Sequence, residues 1–324
     1  MGLGLDAAAE VIERLASACS STAMVTLMHY SATGVIEALG PRDVREAIAR
    51  GDHLTTLAFS EAGSRSQFWT PLGTAKKVAN GIQLDAQKSW VTSAANADSY
   101  VWSSKPLAAD GPMTLWYVPR KTTGISQSGG FDGLGLRGNG STPVTANGAV
   151  VPETVMLGED GKGLDSALML VVPAFQVLSA AFGIGLMEAV IAEATQHLSK
   201  ARYEHLDRTL GEGVLPRLDL ARMRLAADRE RALLNDTLIA LNSQRPDAML
   251  RVLETKASTA ETSLVVTDLA MKVCGGSAFR KEFGVERRFR DARAARVMAP
   301  TTDALLDFIG RSLLGQPLID AATP

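Results

Sequence analysis

The spacing of apolar residues changes twice along the chain. From about residue 6 to residue 50 it has the period of a helix, with Ala8, Val11, Ile12, Leu15 and Ala16 on one face. Gly40-Pro41 ends one helix, and 43–49 reads as another, short one. Between His53 and Leu157 the period shortens to two. Leu54, Leu57, Ala58 and Phe59 form an apolar strand, while Ile82, Leu84 and Ala86 alternate with Gln83, Asp85 and Gln87. Residues 100–104, 113–118 and 149–155 read as further strands between glycine-rich turns. Beyond Gly161-Lys162-Gly163 the pattern is helical almost to the end, with apolar stripes opposite charged faces over 164–203, 218–242, 247–273 and 302–314. The pattern predicts an α+β chain: an N-terminal helical segment over 1–51, a small β-barrel-like domain over 52–160, and a four-helix bundle over 161–324.

Composition removes several function classes. With 324 residues the chain is long enough for two or three layers around a substantial core. Its 33 basic and 35 acidic residues give a net charge of -2, which offers no electrostatic case for nucleic acid. Cys19 and Cys274 are far apart and form neither a CxxC motif nor a disulfide framework, as expected of thiols in a reducing cytosol. The start lacks the basic and apolar regions of a signal peptide. Pro173 and Gln176 interrupt the apolar run 167–186, so no membrane span is expected. These features predict a soluble cytoplasmic chain. His29 reads as a packed core histidine, and His197 and His205 lack metal-ligand spacing, so no metal site is expected.

The chemistry lies in short motifs. Leu57-Ala58-Phe59-Ser60-Glu61-Ala62-Gly63-Ser64-Arg65-Ser66 is a strand followed by a Ser/Gly loop, and Lys88-Ser89-Trp90-Val91-Thr92 is a strand with an aromatic and a hydroxyl. Leu134-Gly135-Leu136-Arg137-Gly138, Gly183-Ile184-Gly185-Leu186, Cys274-Gly275-Gly276 and Arg290-Asp291-Ala292-Arg293 follow in order. A flavin ring is a flat apolar surface with polar edges, and it needs a flat contact and a few fixed donors. Taken singly, each motif has an ordinary explanation. Trp90 suits a core aromatic, Thr92 a strand, the Ser/Gly loop a turn, and the glycine pair a helix C-cap. In this order, and over nearly the whole chain, they resemble the acyl-CoA dehydrogenase family.

The resemblance implies the family fold and an FAD-dependent α,β-dehydrogenation of an acyl-CoA thioester, or a diverged version of it. It implies that Trp90 covers a ring face, that Thr92 donates near the flavin N5, and that Ser60 and Ser66 hold the pyrimidine edge, the pyrophosphate or the thioester. Phe59, Thr301 and Asp303 join this cofactor set. Gly275 and Gly276 would approach the FAD of a neighbouring subunit, together with Lys272, which stands where the family usually has Gln. Arg208 is either a phosphate ligand or a solvated loop residue, since the family's Arg-x-x-Phe-Gly lacks its Phe here. The implied partners are an acyl-CoA, an electron-transfer flavoprotein and further subunits, in a homo- or hetero-oligomeric dimer or tetramer.

One position departs from the pattern. Where the family usually has its general base, the chain has Ala299, followed by Pro300-Thr301. The alternative position on the first long helix corresponds to 173–177, which has no carboxylate. Asp303 matches a residue that points toward FAD, and Glu61 belongs to a structural loop. The catalytic residue is therefore unknown, and a positioned base is typically worth about 10²–10⁴-fold in rate. Two alternatives follow: a silent subunit of a mixed oligomer, or a base-free flavin enzyme of the monooxygenase or desulfinase type. Met1-Gly2-Leu3-Gly4-Leu5-Asp6 resembles an interior loop of the family. The opening helices are thus expected to be absent, and Met1 is more readily a non-native start than the start of a shortened protein.

Overall fold

The computed structural model describes residues 3–65 and 67–319; Met1, Gly2 and Ser66 lie outside the described residues. The chain forms two compact units. One contains the chain up to Ala23, Gly133–Leu136 and Gln176–Ile319; the other contains Met24–Asp132 and Arg137–Phe175.

The first unit is helical. α1 (Leu5–Ala18) buries Ala9, Ile12 and Ala16; of the expected face Ile12 and Ala16 are buried, Ala8 and Leu15 are half-buried, and Val11 is exposed. α2 (Ser20–Leu39) continues into the second unit, where α3 (Arg42–Arg50) ends on Gly51 in the left-handed region at φ +79°. α1 meets α5 (Val172–Lys200) at Gly185, where a Cβ would stand 2.2 Å from the Glu13 carbonyl oxygen. Above that contact, Arg231 makes two 2.8 Å bonds to Glu13 and one of 3.1 Å to Glu188. A short hairpin, β9 (Arg202–Tyr203) with β10 (Arg208–Thr209), leads from α5 into α6 (Val214–Asn242). α7 (Ala248–Cys274) packs antiparallel to α6, and the Glu230 carboxylate accepts from Ser258, Thr259 and Thr262 between them. α8 (Gly284–Val297) and α9 (Thr302–Leu313) complete the unit.

The second unit holds two four-stranded sheets. β1 (Thr55–Ala58), β4 (Ser99–Ser104), β5 (Thr114–Pro119) and β8 (Met156–Leu157) are adjacent in that order, with β1 and β4 parallel. β2 (Thr74–Val78), β3 (Gly81–Val91), β7 (Thr142–Val151) and β6 (Ile125–Gln127) form an antiparallel sheet in the order β2-β3-β7-β6. Their inner faces share one core, with Tyr100, Trp102 and Trp116 from one sheet and Ile82, Leu84, Val144 and Val151 from the other. The α+β architecture agrees with the expectation, and the barrel-like part consists of two facing sheets. His29 is part of this packing: the Thr55 amide donates to its Nδ1 at 3.2 Å, and burial pushes its pKa down.

One expectation is corrected. Pro173 and Gln176 do not break the apolar run: α4 (Gly163–Ser166) passes through a π turn (Ala167–Val171) into α5, giving one continuous helical stretch. The wider π turn lies where the Pro173 ring would crowd the Met169 carbonyl in a regular helix. By length and composition this stretch, Gly163–Lys200, could cross a membrane, but 72% of its most apolar window is buried within the protein. That burial is what a core helix has.

Candidate functional site

In the β-unit the expected cofactor residues lie around the end of β3: Trp90 on it, Thr92 just after it, and Ser60 bonded to Ser89 beside it. Its register against β7 shifts between Lys88 and Val91. At this bulge Trp90 takes φ +56° and Ser93 follows at +54°. A left-handed backbone costs a bulky residue roughly 1–2 kcal/mol, so other contacts must fix it. Ser89 N donates to Ser60 O at 2.9 Å, and Ser93 N donates to Asn139 O at 2.9 Å, one on each side. The bulge aims the indole outward, leaving Trp90 68% exposed and edge-on to Phe131 with centroids 6.3 Å apart. Thr92 is buried, its hydroxyl 3.2 Å from that of Ser141. Phe59 turns into the core and stacks on Phe68, so only its backbone can serve a ligand. An exposed aromatic face beside a hydroxyl pair and the Ser60 backbone is a surface suited to a flat polar-edged ring.

A buried ion pair holds this surface from beneath. The Lys88 ammonium donates to Glu61 Oε1 at 2.6 Å, to Ser103 O at 2.7 Å and to Ser103 Oγ at 2.9 Å. Glu61 also accepts from the amides of Leu72 and Gly73, closing the loop that begins at Ser60. Burial pushes the Lys88 pKa down to about 8 against the pull of Glu61. Glu61 is structural, as its place in the loop motif suggested.

In the bundle unit the remaining candidates fall at separate places. Arg290-Asp291-Ala292-Arg293 forms the middle of α8. Buried Asp291 accepts from Leu136 N at 2.6 Å, and Arg290 donates to Leu134 O at 2.9 Å. Gly135 is required between them, because a Cβ there would stand 2.5 Å from the Arg290 carbonyl oxygen. The motif is thus a clip for the Leu134–Leu136 segment. After α8, residues 298–301 lead into α9, where the Thr301 hydroxyl caps the helix by accepting from Ala304 N at 3.3 Å. Asp303 is exposed in the first turn.

Ala299 is bracketed by a group that the sequence reading missed. Lys256 on α7 is fully buried and donates to Met298 O at 3.0 Å and to Pro300 O at 2.6 Å. Burial pushes its pKa down to about 7. Its spacing from Val252, Leu253 and Ala260 places it on the apolar face of α7, a signal available in the sequence. Ser141 and Asn139, which fix the Thr92 side of the bulge, had no such signal.

Lys272 lies in the last turn of α7 and pairs at 2.7 Å with buried Asp219, which also binds Arg222. Gly275 follows at φ +54°, and neither it nor Gly276 has a heavy atom within 4 Å of where a Cβ would stand. The backbone there is open, which suits a C-cap and a close ligand approach equally. Arg208 sits apart on β10, exposed and 3.7 Å from Glu212.

Residues 161–314 match the family described as acyl-CoA dehydrogenase, C-terminal domain. This helical segment of the chain carries the acyl-CoA dehydrogenase C-terminal domain. It is 24% identical over 320 residues to the cyclohex-1-ene-1-carbonyl-CoA dehydrogenase of Syntrophus aciditrophicus, covering 97% of this chain and 77% of that protein. A glutaryl-coenzyme A dehydrogenase solved with glutaryl-CoA has the same fold at TM-score 0.90 and 20% identity, over 99% of this chain and 83% of that one. An FAD complex of PigA superposes at TM-score 0.86 and 17% identity, over 97% and 83%. In this chain the two structural devices described above, the Glu61–Lys88 clamp and the Asp291 clip, occupy motifs that carried the resemblance.

Proposed function

We propose that the chain is an FAD-binding acyl-CoA dehydrogenase-like oxidoreductase that takes a CoA thioester and works without the family's usual carboxylate. The strained, outward-aimed Trp90 carries this reading, because an edge contact to Phe131 is a small return for an exposed indole at positive φ. Trp90, the Thr92–Ser141 hydroxyl pair and the Ser60 backbone fit a flavin; Gly275 and Gly276 leave room for a phosphate. The Lys272 end fits less well, since its ammonium is engaged by Asp219. FAD, when bound, accepts a hydride. The chain's own share is to orient the ring at Trp90 and Thr92 and to hold the 298–301 connection through Lys256. At Ala299 it offers no group for proton removal.

A second reading, a silent subunit that pairs with an active homologue, is favoured by Ala299 together with the engaged Lys272. The two are separated by purifying the chain, adding FAD, and then adding butyryl-CoA with an artificial electron acceptor. A yellow protein bleached by the thioester supports the first reading. Flavin binding or turnover that arises only with a homologous subunit supports the second. A yellow protein that butyryl-CoA leaves unbleached but that consumes oxygen after external reduction points to the base-free monooxygenase alternative instead.

A further inference from the structure

The bundle core holds unpaired polar groups on α5, α7 and α9. A Cβ on Gly211 would lie 3.1 Å from Leu198 O, and Arg224 pairs with Glu188, so α5 and α6 are antiparallel. Lys272–Asp219 and the bond from Thr237 to Arg251 O make α6 and α7 antiparallel as well. α5 and α7 therefore run parallel, and they meet where Gly183 faces Thr259. One turn back on each helix, on the same facing sides, are Ser179 and Thr255. Gln176 stands three residues before Ser179. Lys256, beside Thr255, reaches the carbonyls on either side of Ala299, and Thr302 begins α9 just beyond.

Gln176, Thr255 and Thr302 have no exposed surface, and Ser179 has 4%. Both amide atoms of Gln176 and the hydroxyls of the other three lack a hydrogen-bond partner. Other buried hydroxyls of this unit are satisfied: Ser263 donates to Ala260 O, and Thr267 donates to Ser263 O. Buried polar side chains are almost always hydrogen-bonded, by protein or by an internal guest. One orphan reads as a packing irregularity. Four, on three converging helices, form a site.

We propose that Gln176, Ser179, Thr255 and Thr302 bind a neutral hydroxyl oxygen beside Ala299: water in the resting protein, and a hydroxyl of the acyl group when a thioester is bound. The second half rests on the thioester reading above. Each of the four side chains both donates and accepts, so the matching guest does the same. A carboxylate only accepts and would leave Gln176 Oε1 facing like charge. The nearby cation, Lys256, is already held by two carbonyls.

Gln176→Met keeps the length of the side chain and Ser179→Ala removes one atom, so both variants retain the core. If the groups are true orphans, removing them raises Tm or leaves it unchanged; if they hold a guest, removal lowers it. The proposal expects both variants to melt below the parent protein, and melting at or above it overturns the site. In the second arm, calorimetry with FAD present compares butyryl-CoA with its 2-, 3- and 4-hydroxy forms. The expectation is that one hydroxylated form binds about tenfold tighter than butyryl-CoA and that Gln176→Met abolishes this preference. Equal binding of all four with lowered Tm means that the site holds water only and overturns the acyl half. Binding of no thioester overturns the thioester reading, while the melting result still decides the site.

Discussion

Replacing Lys88 with Met tests whether the Glu61–Lys88 pair supports the Trp90 surface. The lysine side chain has no exposed surface and that of Glu61 has 2%, so neither charge is screened by solvent. Lys88→Met keeps most of the aliphatic volume and deletes the three ammonium bonds to Glu61 and Ser103. Glu61 keeps its two backbone donors, Leu72 and Gly73, but becomes a buried carboxylate without a counter-charge. Breaking a buried pair from one side costs about 3–5 kcal/mol, most of it the uncompensated charge. Glu61→Gln in the same background removes that charge while its carbonyl still accepts a backbone amide. The double variant should therefore be the more stable of the two, by about 1–3 kcal/mol. All four tryptophans, at 69, 90, 102 and 116, lie in the β-unit, so fluorescence-detected urea unfolding reports this unit directly. A Lys88→Met protein within about 1 kcal/mol of the parent, or a double variant no more stable than the single one, would refute the argument.

Trp90→Gly relieves the positive φ, worth about 1–2 kcal/mol, and loses only the edge contact to Phe131, about 0.5–1.5 kcal/mol. Urea unfolding followed by circular dichroism should find stability nearly unchanged, while an FAD titration should find binding weakened at least about tenfold. Lys256→Met tests the buried amine by pH. The folded pKa, about 7, lies below the ordinary 10.5, so between these values the unfolded chain holds the extra proton and the parent gains stability as pH rises. Relative to the Met variant, parent stability should climb by up to about 1.4 kcal/mol per pH unit in that window; a flat difference contradicts the buried amine. Gly185→Ala forces a Cβ against the Glu13 carbonyl and should lower the bundle's stability by about 1–3 kcal/mol. Gly310→Ala, in open space on α9, should raise stability by roughly 0.5–1 kcal/mol, and thermal melts of the two variants should move in opposite directions.

The elements were legible because their apolar period follows directly from burial. Ile12 and Ala16 from the helical stripe, and Ile82 and Leu84 from the strand alternation, are buried in the structure, while Val11 at the edge of the stripe is exposed. What the period could not carry was the local exception. The β3 bulge needs Asn139 and Ser141 from a distant loop, so no window around Trp90 reveals its positive φ. The charged Arg290–Arg293 run gives no local sign of its packing: the bonds from Leu136 N to Asp291 and from Arg290 to Leu134 O tie it to a segment far away in sequence. Pro173 misled for a related reason: a π turn absorbs the ring, and sequence spacing contains no term for that.

Ala299 stands clear of the bonds that carry the resemblance. The clamp at Glu61, the clip at Asp291 and the bulge at Trp90 each rest on bonds in which residue 299 takes no part. The 298–301 connection is held by Lys256 through backbone carbonyls, which any residue supplies. A side chain at 299 could therefore change without a stability penalty in these devices. The devices that carry the resemblance are independent of the side chain at 299. The polar groups at Gln176, Ser179, Thr255 and Thr302 differ in kind: buried and unpaired, they cost stability unless something occupies them. That cost is what the paired melting measurements on Gln176→Met and Ser179→Ala read out, since removal of a true orphan cannot lower Tm.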